Sequence, residues 1–167
     1  KSSLMLQTIK NLPKQGVLSV IVDLQKIGKN LSEELWYKSV LRSVQRSLTL
    51  DFDIGRWWTS NRGVSSSQMF VDFFEDLLSK MDGRIIIFID EIDTTLTFDF
   101  RDNFFIGIRS MFNARAENSD FNRLSFVLLG SASPSDLIED RTRTPFNIGR
   151  TISLRFFNRD DASPLER

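Results

Sequence analysis

Apolar positions along the chain follow two rhythms. Continuous runs occur three times, as Val17-Leu18-Ser19-Val20-Ile21-Val22, Ile85-Ile86-Ile87-Phe88-Ile89 and Leu124-Ser125-Phe126-Val127-Leu128-Leu129. Their length and β-branched content fit strands buried on both faces, as in the parallel sheet of an α/β protein. Between them the apolar residues recur at helical spacing. Leu4, Met5, Ile9 and Leu12 share one face of a first helix, which Pro13 and Gly16 end. Ser32 opens a second, with a stripe of Leu35, Trp36, Val40, Leu41, Val44 and Leu48. A third carries Met69, Phe70, Phe73, Phe74, Leu77, Leu78 and Met81, ends at Asp82-Gly83, and serves as a right-handed crossover into the middle strand. A fourth turns Phe104, Phe105, Ile108, Met111 and Phe112 inward and leaves Arg101, Arg109 and Arg115 on a solvated surface, where Arg109 or Arg115 could face a neighbouring subunit. Residues 49–67 read as irregular, and Trp57-Trp58 within them fit a plug between helices better than a partner-binding patch. A short helix is predicted from Ser133 through Leu137 and Ile138, and a short strand over Thr151-Ile152-Ser153-Leu154.

Carboxyl ends of parallel strands are where ligands bind in such sheets. The middle strand closes on Asp90-Glu91, the Walker B pattern of P-loop ATPases, in which the Asp holds magnesium, usually through water, and the Glu polarises the attacking water. The plainer reading is an acidic loop that caps the next helix. Asp93 is a second candidate for the magnesium shell, although its place three residues beyond Asp90 suits support of the site or helix capping better. Lys1-Ser2, with a helix behind them, match the last two positions of a phosphate loop, Gly-x-x-x-x-Gly-Lys-[Ser/Thr]. There the Lys reaches the β- and γ-phosphates and the hydroxyl completes the magnesium shell. The expectation is a sequence that starts inside its own phosphate loop, with the N-terminal strand and the Gly-rich half of the loop missing. Lys1, Ser2 and Ser3 are therefore the nucleotide-binding candidates, and Ser2 and Asp90 the metal-binding ones. Asp23, leaving the first strand, suits a turn cap better than a ligand contact.

Composition narrows the field further. The 167 residues make one domain with room for a sizeable core. Acidic and basic residues number 22 each, which supplies no electrostatic attraction to nucleic acid or to a membrane surface. With no Cys and no His, thiol catalysis, disulfides, ordinary zinc sites and His-dependent triads are excluded. No apolar run approaches roughly 18 residues and no signal peptide is present, so a soluble cytoplasmic protein is expected, with a targeting segment upstream of Lys1 left open.

Four segments taken together carry a family resemblance: Lys-Ser-Ser-Leu-Met at 1–5, Ile-Ile-Phe-Ile-Asp-Glu-Ile-Asp at 86–93, Leu-Leu-Gly-Ser-Ala-Ser-Pro-Ser-Asp-Leu-Ile at 128–138 and Thr-Pro-Phe-Asn-Ile-Gly-Arg at 144–150. Their succession resembles the AAA-like ATPase domain of bacterial, cyanobacterial-type multidomain signalling proteins. That group lies near the signal-transduction ATPases with numerous domains, relatives of the NACHT and NB-ARC switches. The resemblance implies a three-layer α/β/α P-loop NTPase core with a mostly parallel sheet over residues 1–157, and a linker to a downstream module beginning at 158–167. It implies ATP and Mg²⁺ as cofactors, Lys1 and Ser2 on phosphate and magnesium, Asp90 on magnesium, and Glu91 in catalysis. Ser131 is then the sensor hydroxyl that helps fix the attacking water, with Ser133 the second choice and a better helix cap. Arg150, in a Gly-Arg pair, approaches the γ-phosphate, commonly in an adjacent subunit; the simpler reading is a surface arginine paired to a carboxylate. Implied partners are repeat or effector modules in the same polypeptide, such as WD40 repeats, TIR-type effectors or kinase modules, and a homo-oligomer. Two rival functions stand beside the ATPase switch: a non-hydrolysing interaction scaffold, and a DNA-associated ATPase resembling origin-recognition proteins, against which the neutral charge argues.

Overall fold

A computed structural model describes residues 1–51, 53–61, 63–139 and 148–154. Its frame is a sheet of three parallel strands, β1 (Val17–Asp23), β2 (Arg84–Asp90) and β3 (Leu124–Leu128), in the order β1-β2-β3. The apolar runs thus become strands as expected, and β2 lies between two parallel neighbours. The register sets Asp23 opposite Asp90 and Ile89 opposite Leu128, so both acids leave the sheet at the same end.

Alternation along the strands divides the sheet into two unequal faces. Val20, Val22, Ile85, Ile87, Ile89 and Leu124 share one face and join the main hydrophobic cluster. That cluster is completed by α3 (Glu33–Ser47), α4 (Ile54–Ser60), α5 (Ser66–Lys80) and α6 (Arg101–Asn113). Trp36 sits at its centre, edge-on to Tyr37, Phe98 and Phe104 at 5.1–5.6 Å, which makes it core rather than a stacking platform. Val17 and Phe88, of the opposite parity, are buried but lie outside this cluster, as does Met5 of α1 (Ser2–Asn11).

The helices start where side chains can take their free N–H groups. Ser32 accepts from Leu35 N at 3.4 Å, Asp53 from Arg56 N at 3.1 Å and Ser65 from Gln68 N at 3.2 Å. Asp23 caps the single-turn α2 (Leu24–Ile27) through Gln25 N and pairs with Lys26, so it serves as the expected turn cap. Arg123 ties the turn before β2 to the turn before β3, donating to Leu78 O, Met81 O and Asp120.

Several local expectations are corrected. Residues 49–67 are not wholly irregular, because α4 forms within them. Its seven residues are held less by propensity than by Trp58, which is buried, and by Trp57, whose indole N–H donates to Asp76 at 2.7 Å. Both tryptophans are therefore plugs. On α1 only Met5 is buried, while Leu4 is 52% exposed; on α3 Leu35 is exposed as well. Phe112 does not point inward but lies at the surface under the Arg115 guanidinium, 4.4 Å away. Neither Arg115 nor Arg101 is merely solvated: Arg115 donates to Phe121 O and Leu124 O, and Arg101 donates to Leu96 O and pairs with Glu139. The segment from Ser133 makes a hydrogen-bonded turn instead of a helix, and residues 151–154 form no strand. The expected linker at 158–167 lies outside the described residues. Among the described residues, no helix is long and apolar enough to cross a membrane.

Candidate functional site

The carboxyl end of β2 gathers most of the chemistry. Asp90, 9% exposed, ends the strand, and its two oxygens are engaged differently. Oδ1 accepts from the Glu91 backbone N–H at 3.0 Å, while Oδ2 accepts from Ser2 Oγ at 3.1 Å. The second bond joins residues 88 positions apart and sets the start of α1 against the tip of the central strand. Lys1 caps that helix through its carbonyl, which accepts from Met5 N at 3.1 Å; its side chain and Ser3 are exposed.

Beyond Asp90 the backbone is forced into an unusual shape. Leu129 N donates to Ile89 O at 2.9 Å, and Leu129 O accepts from Ile92 N at 3.0 Å, so the residue just past the end of β3 engages both sides of Asp90-Glu91. The two acids are left to bulge from the pairing, and Glu91 takes φ +58°, ψ +44°. A left-handed conformation at a non-glycine residue carries strain, and such strain concentrates at functional sites. A short 3-10 helix, Ile92–Thr97, then carries the chain away.

Asp93 belongs to that helix and reaches across to the exit of β3. Its carboxylate accepts from Ser131 N at 2.9 and 3.1 Å, from Ser131 Oγ at 3.2 Å and from Ala132 N. Burial pushes the carboxyl pKa up, but the N–H donors of Ser131 and Ala132 and the Ser131 hydroxyl outweigh it, holding the group below the ordinary aspartate value. Asp93 thus ties the 3-10 helix to the loop that leaves β3. Gly130 makes this approach possible, because a Cβ there would overlap Ile92 Cγ2 and come within 2.7 Å of Asp93 Oδ2. The sequence pattern gives no reason to single out Gly130; its one signal is a glycine immediately after a strand. Ser133, the second sensor choice, is occupied locally: its Oγ lies 2.6 Å from Asp136 and 2.7 Å from Ser135 Oγ.

Ser2, Asp90 and Glu91 therefore meet at one strand tip, and Ser131 stands on the adjoining one. Arg150 lies on a cavity that borders this meeting. The residue is exposed, and the cavity, of about 520 Å³, is walled by Phe105, Met111, Phe126 and Leu137 and bordered by Ile92, Gly130 and Ala132, the neighbours of Glu91 and Ser131. Among the described residues no hydrogen bond or ion pair joins Arg150 to Ser2, Asp90, Glu91 or Ser131.

Comparison with known proteins gives this geometry its context. An uncharacterized WD repeat-containing protein of Synechocystis sp. is 38% identical over 170 residues, an overlap that covers 99% of this chain but 14% of that protein. No solved structure matches the chain. The family model described as an AAA-like domain matches residues 1–167, so the chain belongs to the AAA-like domain family.

Proposed function

We propose that this domain binds and hydrolyses Mg·ATP as the nucleotide switch of a larger bacterial signalling protein, on a three-layer P-loop core working in the cytoplasm. Membership of an AAA-like family supports nucleotide binding in general; the observation that carries the particular reading is the Ser2–Asp90 hydrogen bond. It brings a hydroxyl at a helix start to a carboxylate at the end of a buried central strand. The donor set suits magnesium, since both groups are hard oxygens. Ser2 Oγ and Asp90 Oδ2, already 3.1 Å apart, would hold the ion, directly or through its waters. When bound, the ion neutralises charge on the β- and γ-phosphates.

The chain's own groups do the rest. The first N–H groups of α1 have no helical acceptor and favour phosphate oxygens, and Lys1 adds an ammonium at the same end. Glu91, turned out of the sheet beside Asp90, orients and deprotonates the attacking water, and Ser131 steadies that water from the next strand. For Arg150 we infer a role toward nucleotide held by a second copy of the chain, because it is exposed and, among the described residues, makes no hydrogen bond or ion pair with the acids of its own copy. The WD repeat-containing relative, of which this chain spans 14%, supports a switch that works on other modules of its polypeptide.

The test is a Mg·ATP titration with a hydrolysis assay on the full-length protein. Lys1→Ala should weaken binding at least about tenfold, and Glu91→Gln should keep affinity while slowing hydrolysis by about 10²–10⁴-fold. Unchanged affinity in Lys1→Ala would overturn the nucleotide site. A Glu91→Gln protein with every activity intact would replace the switch by a non-hydrolysing scaffold.

A further inference from the structure

We propose that Asp93 is a positioning residue that fixes the polarity of the Ser131 hydroxyl, making its oxygen a hydrogen-bond acceptor toward the attacking water; this rests on the reading that the site hydrolyses ATP. Valence sets the direction of the contact. An ionised carboxylate only accepts, so the 3.2 Å contact between Ser131 Oγ and Asp93 Oδ1 uses the serine's single proton. What Ser131 then presents outward is lone pairs. A water between Ser131 and Glu91 would give one hydrogen bond to Oγ and its other proton to the Glu91 carboxylate, leaving an oxygen lone pair for phosphorus.

Three features make this a built arrangement and not a chance surface contact. Asp93 also takes the N–H groups of Ser131 and Ala132, so backbone and side chain are gripped by the same carboxylate. The Leu129 carbonyl bonded to Ile92 N anchors the base of the two loops one residue before Asp93 on one side and two before Ser131 on the other. Gly130 lets the loops close to a distance that any Cβ would forbid. The carboxylate is ionised at neutral pH, as an ordinary aspartate is, and the hydrogen bonds that hold it lower its pKa further against the opposing effect of burial.

Asp93→Asn is the informative substitution because it preserves shape and changes polarity. Ser131 Oγ and the Ala132 N–H share Oδ1 while the Ser131 N–H lies nearest Oδ2, so an asparagine must either turn its NH₂ toward Ser131 Oγ and the Ala132 N–H or leave one neutral oxygen to serve all three donors; either way the charged hold on the hydroxyl proton is lost. We expect the full-length Asp93→Asn protein to keep its Mg·ATP affinity within about threefold and its melting temperature, yet to lose about tenfold or more in kcat, in line with a lost oriented hydrogen bond. Ser131→Ala should lose a similar factor, and the double variant should lose no more than either single one, since both act through one hydroxyl. Asp93→Ala, read without nucleotide, should speed amide exchange at Ser131 and Ala132 while leaving Ile86 to Phe88 protected.

The outcomes separate cleanly. If the wild-type protein hydrolyses ATP and Asp93→Asn matches it, or if the two single losses multiply, the positioning role is overturned and the ATPase reading stands. If Ser131 and Ala132 amides are as protected in Asp93→Ala as in the wild type, the grip itself is refuted. A wild-type protein that neither binds nor hydrolyses Mg·ATP overturns both.

Discussion

Glu91 concentrates the cost of the site in one residue. Its φ of +58° results from Leu129, which pairs with Ile89 and Ile92 and leaves two residues to close a gap that the strand alone would not need. A left-handed conformation costs an L-residue about 1–2 kcal/mol, and glycine almost nothing. Glu91→Gly should therefore be more stable than Glu91→Ala by about 1 kcal/mol, a melting difference of roughly 2–4 °C for a domain of this size, while both fail to hydrolyse ATP. Equal melting temperatures in calorimetry would show that the conformation is unstrained. A gain in stability coupled to a loss of activity is what strain retained for function predicts.

Among the helices, α1 is the least secured although it carries the nucleotide candidates. It has ten residues, too few to hold together alone in water, and buries only Met5, leaving Leu4 52% and Leu6 49% exposed. The Ser2–Asp90 bond ties its start to the tip of β2. In hydrogen exchange the amides of α1 should open far more readily than those of β2, and Met5→Ala should bring residues 2–11 close to free-chain rates while β2 stays protected. Slow exchange of α1 matching that of β2 would contradict this view. By contrast, α5 buries Met69, Phe70, Phe73, Phe74, Leu77 and Leu78 and holds the sheet side of the domain rigid. A loosely held element beside a firmly held one is the arrangement a ligand can stabilise.

Ligand binding should then be visible in the stability of the domain as a unit. A ligand that binds only the folded form adds RT ln(1 + [L]/Kd), about 2.7 kcal/mol at a hundredfold excess over Kd. Saturating Mg·ATP should raise the melting temperature of this domain in the full-length protein, and Asp90→Asn should remove most of the shift; identical shifts in both would detach Asp90 from the site. Much of this architecture was readable in the chain. The three strands, α3, α5, α6 and the Asp90-Glu91 strand end emerge from periodicity, because burial on both faces or on one stripe dictates residue type at each position. Trp36 as core and Asp23 as a cap were legible for the same local reasons. The seven-residue α4 was not, since its sequence has modest helix propensity and its support comes from Trp58 burial and the Trp57–Asp76 bond. The surface position of Phe112 and the carbonyl partners of Arg101 and Arg115 were equally hidden, because sequence spacing places a side chain on a helix face without saying what passes opposite. Local pattern determined which segments are strands and helices and which residues could bear charge at their ends. The motif pair already paired Ser2 with Asp90; only the folded chain decided that they bond directly, that Leu129 turns Glu91 out of the sheet and that Asp93 closes on Ser131, because each contact is set by strand register and loop closure.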